Sequence, residues 1–224
     1  MNIKERTKEA LRKYDTGTKY SHLPFPKASV LVPIFVKDGK LHLILTVRSM
    51  KLQTFKGEVC FPGGKLEPED QNEIDTAVRE AEEEIGLEAK DVDVVCSLVP
   101  IISKAGLLVT PVVAFIQETF QPIPNQDEVS DVFSVPLDYF LNPAQHFSHS
   151  YELHDGTSSR IHFFTYEDPH NNKSYVIWGM TAYFALIVAV LALGRRPAFV
   201  VDFEDGDPLS NCEFILRKHY TSKL

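Results

Sequence analysis

Residues 57–64 read Gly-Glu-Val-Cys-Phe-Pro-Gly-Gly, and residues 79–87 read Arg-Glu-Ala-Glu-Glu-Glu-Ile-Gly-Leu. With the acidic spacer between them they spell a strand, a glycine loop and a helix in series. Val59 and Phe61 alternate as a short strand requires. Pro62-Gly63-Gly64 stops that strand and lets backbone come close to a ligand or metal. From about Asn72, the apolar residues Ile74, Ala77, Val78, Ala81 and Ile85 recur at helical spacing. Gly86 supplies a C-terminal stop.

Glu80, Glu83 and Glu84 stand at i, i+3 and i+4, so they leave one side of this helix. Clustered carboxylates repel one another, and nothing in local helix physics favours them. A divalent cation removes the repulsion, and hard oxygen ligands suit Mg²⁺ or Mn²⁺. Such a site fits metal-assisted attack of water on a phosphate. The competing reading is a solvated acidic face. The glycine loop just upstream, with Arg79 within reach of one carboxylate, favours the metal.

The segment resembles the Nudix box: Gly, five residues, Glu, seven residues, then Arg-Glu-apolar-any-Glu-Glu-any-Gly-apolar. Arg79 to Leu87 match at every position. In the first half, Asp70 stands where the Glu belongs, and one extra residue separates it from Arg79. Upstream, Leu45-Thr46-Val47-Arg48-Ser49, Gly57, Val59 and Phe61-Pro62-Gly63-Gly64 resemble the extra motif of Nudix coenzyme A diphosphatases. Gln53 replaces the second Arg of that motif, and Arg offers a charged fork that Gln does not.

The resemblance implies an α/β fold, a Nudix-type α/β/α sandwich with a mixed β-sheet, over residues 28–195. The acidic helix covers one face and the helix at 180–193 the other. It also implies hydrolysis of coenzyme A and its thioesters to 3′,5′-ADP and 4′-phosphopantetheine or its acyl form. Glu80, Glu83 and Glu84 would bind Mg²⁺ or Mn²⁺, helped by a backbone carbonyl at Gly63 or Gly64. Glu80 or Glu128 would be the general base, and Arg79 would orient a carboxylate. Arg48, Lys51 and Lys56 are the candidates for substrate phosphates. Glu128 is also readable as a solvated turn residue. Two other functions stay open: a Nudix hydrolase for NADH or ADP-ribose, and a non-hydrolysing module that binds coenzyme A or a nucleotide.

Totals narrow the field. At 224 residues the chain can form one sizeable core. A net charge of −8 gives no electrostatic footprint for nucleic acid. An acidic protein acting on an anionic substrate needs metal and local cations to offset its own field. Cys60, Cys96 and Cys212 have no paired or metal-binding spacing, so a reducing compartment is the default. The N-terminus has no apolar signal core.

Residues 1–27 read as a helical arm and a connector containing Pro24 and Pro26. Residues 28–36 and 41–46 read as a hairpin around Asp38-Gly39. Val92 to Val99 is a strand, Ile101 to Val109 a loop, and Thr110 to Ile116 a strand whose Pro111 suits a start or an edge. Residues 136–141 suggest a short helix. His146, His149, His154 and His162 fit no zinc spacing and are expected in exposed strands and loops. Arg160 to Tyr166 and Ser174 to Trp178 are late strands, with Trp178 expected in the core. The apolar run 180–193 is too short for a membrane span, which needs about 20 residues. Phe199 to Phe203 suggests an extra strand, and Cys212 to Tyr220 a small helix. The extension 196–224 ends in Ser222-Lys223-Leu224, a peroxisomal address read by an import receptor.

Overall fold

The computed structural model describes residues 2–152, 158–203 and 208–221. The frame is a mixed sheet. β1 (Lys27–Lys37) and β2 (Lys40–Arg48) form a hairpin whose Asp38 and Gly39 both take positive φ, 49° and 72°. Two such residues are what a type I′ turn requires. β1 pairs in parallel along its other edge with β7 (Leu108–Phe115), and β5 (Asp93–Ser97) pairs antiparallel with β7. β8 (Val129–Pro136) lies antiparallel on the outer edge of β2.

β1 and β2 separate beyond their turn, and the residues after Glu58 fill the gap. β3 (Val59–Cys60) pairs with the end of β2, and β4 (Gly63–Lys65) with the start of β1. Gly63 and Gly64 therefore sit in the sheet, opposite Val30 and Ser29.

Alternation along the strands divides the apolar residues between two cores. Leu31, Phe35, Ile44, Val112 and Ala114 point to one face, under Ala77, Ala81 and Ile85 of α2 (Glu73–Ile85). Val32, Ile34, Leu43, Leu45, Val113 and Phe115 point to the other, where α3 (Gly179–Leu193) is buried. The α/β/α sandwich is thus observed. Asn72 caps α2 through its side-chain oxygen, which accepts the amides of Ile74 (2.8 Å) and Asp75 (3.1 Å). Gly86 ends it in the left-handed region, φ 71°.

The N-terminal arm is docked. α1 (Ile3–Arg12) buries Leu11 completely in the larger core, and Lys4 and Lys8 pair with Asp93 at 2.9 and 2.6 Å. At the other end, α4 (Ser210–Thr221) packs Cys212 against the Tyr183 hydroxyl (2.8 Å). Its Glu213 accepts from Lys19 (2.7 Å) and Tyr20 (2.6 Å) of the connector. Both extensions therefore close against one another on the α3 side. The cysteines are free, and among the described residues no helix is long and apolar enough to cross a membrane.

Several sequence expectations need correction. Pro111 lies in a central strand, not at an edge. The β5 ladder ends at Val112, so no amide is needed at Pro111, while its carbonyl still accepts from Leu98 (3.0 Å). The expected loop at 101–109 is a tight hairpin, with β6 (Ile101–Ile102) pairing back onto β7. Phe199 to Phe203 forms no strand: Phe199, Val201 and Phe203 alternate into the core, but no sheet edge meets them.

A second, three-stranded sheet runs β9 (His146–Glu152), β10 (Ser158–Glu167), β11 (Ser174–Trp178). Phe164 and Ile177 on its inner face join the larger core. Two histidines are not surface residues as expected. His162 is buried and lies 3.0 Å from His146, nitrogen to nitrogen, with Phe199 stacked on His146. His149 is exposed, and His154 lies outside the described residues. Trp178 belongs to a half-buried ladder, stacked parallel on Phe163, which stacks on Phe147.

Candidate active site

The first turn after Phe61 decides the geometry. A Cβ on Gly63 would lie 2.3 Å from the Ser29 carbonyl oxygen and 2.7 Å from the Val30 Cα. A Cβ on Gly64 would lie 2.2 Å from a carboxylate oxygen of Glu80. Gly63 thus lets two strands close, and Gly64 lets α2 lay a carboxylate directly on the loop backbone.

The helical spacing then sorts the acids. Glu84 points inward and is 3% exposed; Glu80 is half-buried beside it; Glu83 points outward. Glu128 arrives from the loop before β8. The carboxylate oxygens of Glu80, Glu84 and Glu128 lie within 4.8 Å of one another. So the structure brings together two of the three helix acids with Glu128, and Glu83 stands apart, 3.1 Å from Arg79.

Glu128 is held by contacts that sequence spacing does not reveal. Asn125 donates its side-chain amide to Glu128 (3.2 Å), and its backbone amide to the Glu84 carbonyl (2.9 Å). The Ser49 amide donates to the Glu128 carbonyl (2.8 Å), and the Ser49 hydroxyl to the Gln126 carbonyl (3.1 Å). The residue after Arg48 therefore ties the β2–β3 loop to the loop that carries Glu128. Asn125 sits three residues before Glu128 in a turn, a local signal that could have found it. Ser49 belongs to the motif that starts at Leu45, but nothing in its spacing ties it to Glu128.

Arg79 is the hub of the acidic cluster. Its guanidinium forks onto Asp70 (Nε 2.9 Å, Nη2 3.0 Å) and reaches Glu80 and Glu83 (3.1 Å each) and the Lys65 carbonyl (3.1 Å). Asp70 also accepts from Thr76 and the Glu67 amide, both at 2.9 Å. A bidentate pair needs a carboxylate in plane with the fork. The extra residue before Arg79 and the shorter acid together reach it. Hydrogen bonds from Arg79 hold the Asp70 carboxyl well below its usual range.

Glu84 is the most perturbed acid of the cluster. Burial, then the Glu80 carboxylate, push its pKa up to about 8; Arg48 and the Gly63 amide offset part of this. Burial also raises Glu80, against the opposing charge of Arg79. Two polar atoms here are buried without a hydrogen-bond partner among the described residues: Glu84 Oε2 and Arg48 Nε. One calls for a cation and the other for an anion's oxygen. The donor set is all hard oxygen, it is crowded with negative charge, and one of its oxygens is unsatisfied. These residues fit a divalent metal.

Lys51 and Lys56 are exposed on the β2–β3 loop, and Lys51 pairs with Asp127 at 2.7 Å. Ser222, Lys223 and Leu224 lie outside the described residues.

Two outcomes follow. The folded pKa of Glu84 lies above its ordinary value of 4.5, so folding favours the protonated form and stability is lost as pH rises toward 8. In chelator-treated protein, the melting temperature should fall by roughly 5–10 °C between about pH 5 and about pH 8 through this group. Glu84→Gln should flatten that slope; an identical slope in the variant would contradict the assignment. The glycines should also separate. Gly63→Ala meets backbone and should lower the melting temperature by about 5 °C or more. Gly64→Ala meets only the end of the Glu80 side chain and no backbone, so it should fold normally and lose divalent-ion affinity.

A sequence model of the NUDIX domain matches residues 25–156. The mouse protein named peroxisomal coenzyme A diphosphatase NUDT7 is 47% identical over 224 residues, covering 100% of this chain and 94% of that one. The Arabidopsis thaliana protein named Nudix hydrolase 15, mitochondrial, is 45% identical over 177 residues, 78% of this chain and 61% of that one. A solved MutT/nudix family structure from Enterococcus faecalis superposes with a TM-score of 0.45 at 17% identity, over 87% of this chain and 76% of that one. The matched domain contains the glycine loop, the Arg79 hub and all the carboxylates of the cluster, and the chain belongs to the Nudix hydrolase family.

Proposed function

We propose that this protein hydrolyses the diphosphate bond of coenzyme A and acyl-coenzyme A. The products are 3′,5′-ADP and 4′-phosphopantetheine or its acyl form. The observation that carries the reading is the convergence of Glu80, Glu84 and Glu128 beside the unpartnered Nε of Arg48. The substrate is supported by the stretch from Leu45 to Gly64 and by the name of the mouse relative, which this chain matches over its whole length.

Glu80 and Glu84, with Glu83 and a backbone carbonyl of the Gly63-Gly64 loop, would hold Mg²⁺ or Mn²⁺. A bound divalent cation supplies charge neutralisation on the diphosphate and a more acidic ligated water. Arg48 contacts a phosphate oxygen, and Lys56 is the second candidate cation, since Lys51 is engaged by Asp127. The water oxygen bonds to one phosphorus, and the bond from that phosphorus to the bridging oxygen breaks. Glu80 or Glu128 takes the water's proton. Glu128 is held for this by Asn125, and Glu80 by Arg79. Arg79 and Asp70 act by position, fixing the helix acids against their own repulsion.

The protein is proposed to act in the peroxisome, delivered by the import receptor that reads Ser222-Lys223-Leu224. The mouse relative's name includes the same compartment.

Incubation with coenzyme A and Mg²⁺, followed by ion-exchange separation, should yield 3′,5′-ADP and 4′-phosphopantetheine. Glu84→Gln should lower the rate by about 10²-fold or more. Intact coenzyme A, with NADH or ADP-ribose cleaved in its place, would overturn the substrate. Equal rates in the variant would overturn the site.

A further inference from the structure

The β2–β3 loop, residues 49–58, holds two large apolar side chains that the fold does not use. Met50 is 66% exposed and Phe55 63%. The loop itself is tightly built. Arg48 and Glu58 close its base (2.9 Å), Gly57 donates to the Arg48 carbonyl (3.0 Å), and Ser49 fixes it to the Glu128 loop. The exposure is therefore not that of a loose segment. Phe55 also takes φ +55°, a left-handed conformation that is unfavourable for a bulky residue and easy for glycine or asparagine. Yet its ring gains no burial in return. Strained residues of this kind gather at ligand clamps. Met50 lies over Gly57, its sulfur 3.3 Å from where a Cβ would stand there.

We propose that Met50 and Phe55 form the subsite for the acyl-thioester end of the substrate, as distinct from its nucleotide half. The proposal rests on the reading that the substrate is a coenzyme A derivative. The loop starts at Arg48 and is pinned to Glu128, so a diphosphate held at the carboxylates places its flanking groups beside it. Its charge selects between those groups. Lys51 is neutralised by Asp127, Gln53 is neutral, and Lys56 is the remaining cation against Glu58 and Glu128. A surface with so little positive charge suits amides and methylenes better than a nucleoside carrying a further phosphate. A flexible thioether and a flat ring also adapt to acyl chains of different length.

The test is the double variant Met50→Ala/Phe55→Asn, in which asparagine keeps the left-handed backbone and removes the ring. Phe147→Ala removes an equally exposed ring from the outer face of the second sheet and is the control. Wild type and variants are assayed with free coenzyme A and a long-chain acyl-coenzyme A, with 3′,5′-ADP as product inhibitor. The double variant should raise KM for the acyl substrate about 10-fold relative to free coenzyme A, with kcat little changed. Its inhibition by 3′,5′-ADP and the behaviour of Phe147→Ala should match wild type. An unchanged preference, a parallel loss of 3′,5′-ADP binding, or the same shift in Phe147→Ala would overturn the subsite. A wild type that cleaves no coenzyme A derivative would overturn the function and this inference together. A wild type that cleaves them, with preference unaltered in the double variant, would overturn this inference alone.

Discussion

Three carboxylates within 4.8 Å of each other repel, and one of them, Glu84, has been taken almost wholly out of water. Such an arrangement is costly, because a buried charge without a partner costs on the order of several kcal/mol, and burial accordingly pushes Glu84 toward its neutral form. Much of the surrounding design limits this cost without removing it. Gly64 has no side chain, so Glu80 can lie against the loop. Arg79 draws Glu80 and Glu83 while Asp70 fixes the guanidinium. Arg48 and the Gly63 amide ease Glu84, yet its carboxyl still has a pKa of about 8. A divalent cation among these oxygens would offset the repulsion between the carboxylates, which local helix physics leaves uncompensated.

The scaffold serves that placement. β1 fixes β4 by three register pairs, so the glycine loop is part of the sheet and not a free connection. The smaller core clamps α2 to the opposite end of the same strands through Ala77, Ala81 and Ile85. With both ends held, the helix delivers Glu80 and Glu84 at a fixed depth. The larger core, the docked α1 and the α4 hook lie on the far face and keep the sheet from flexing beneath the site. Regular elements carry Glu80 and Glu84, and the loops at 49–58 and 125–128 are stitched together through Ser49.

Much of this was legible in the sequence, because local physics wrote it there. The acidic helix shows its apolar stripe and its Gly86 stop, while the Asn72 cap was seen only in the structure. The hairpin shows its Asp38-Gly39 turn. The mostly apolar run Phe199 to Phe203 suggested a strand, but a strand also needs an edge to pair with, and no sequence pattern declares that. Pro111 was misplaced for the same reason: its neighbours' register decides whether its missing amide matters. Helical spacing grouped Glu83 with Glu80 and Glu84, yet i+3 and i+4 diverge enough for one to turn outward to Arg79. Glu128 was ambiguous because its place depends on Ser49, a contact across some eighty residues. Asp70 looked like a defect until the fork with Arg79 was seen, since a shorter acid and an extra residue compensate only in three dimensions.

The proposed function stands on a divalent cation held by Glu80 and Glu84, with Glu128 facing it. The most direct measurement is anomalous scattering from crystals grown with Mn²⁺. A peak bonded at about 2.1 Å to oxygens of Glu80 and Glu84 is predicted, with none there in Glu84→Gln. A peak elsewhere, or none at this cluster in the wild-type protein, would contradict the account.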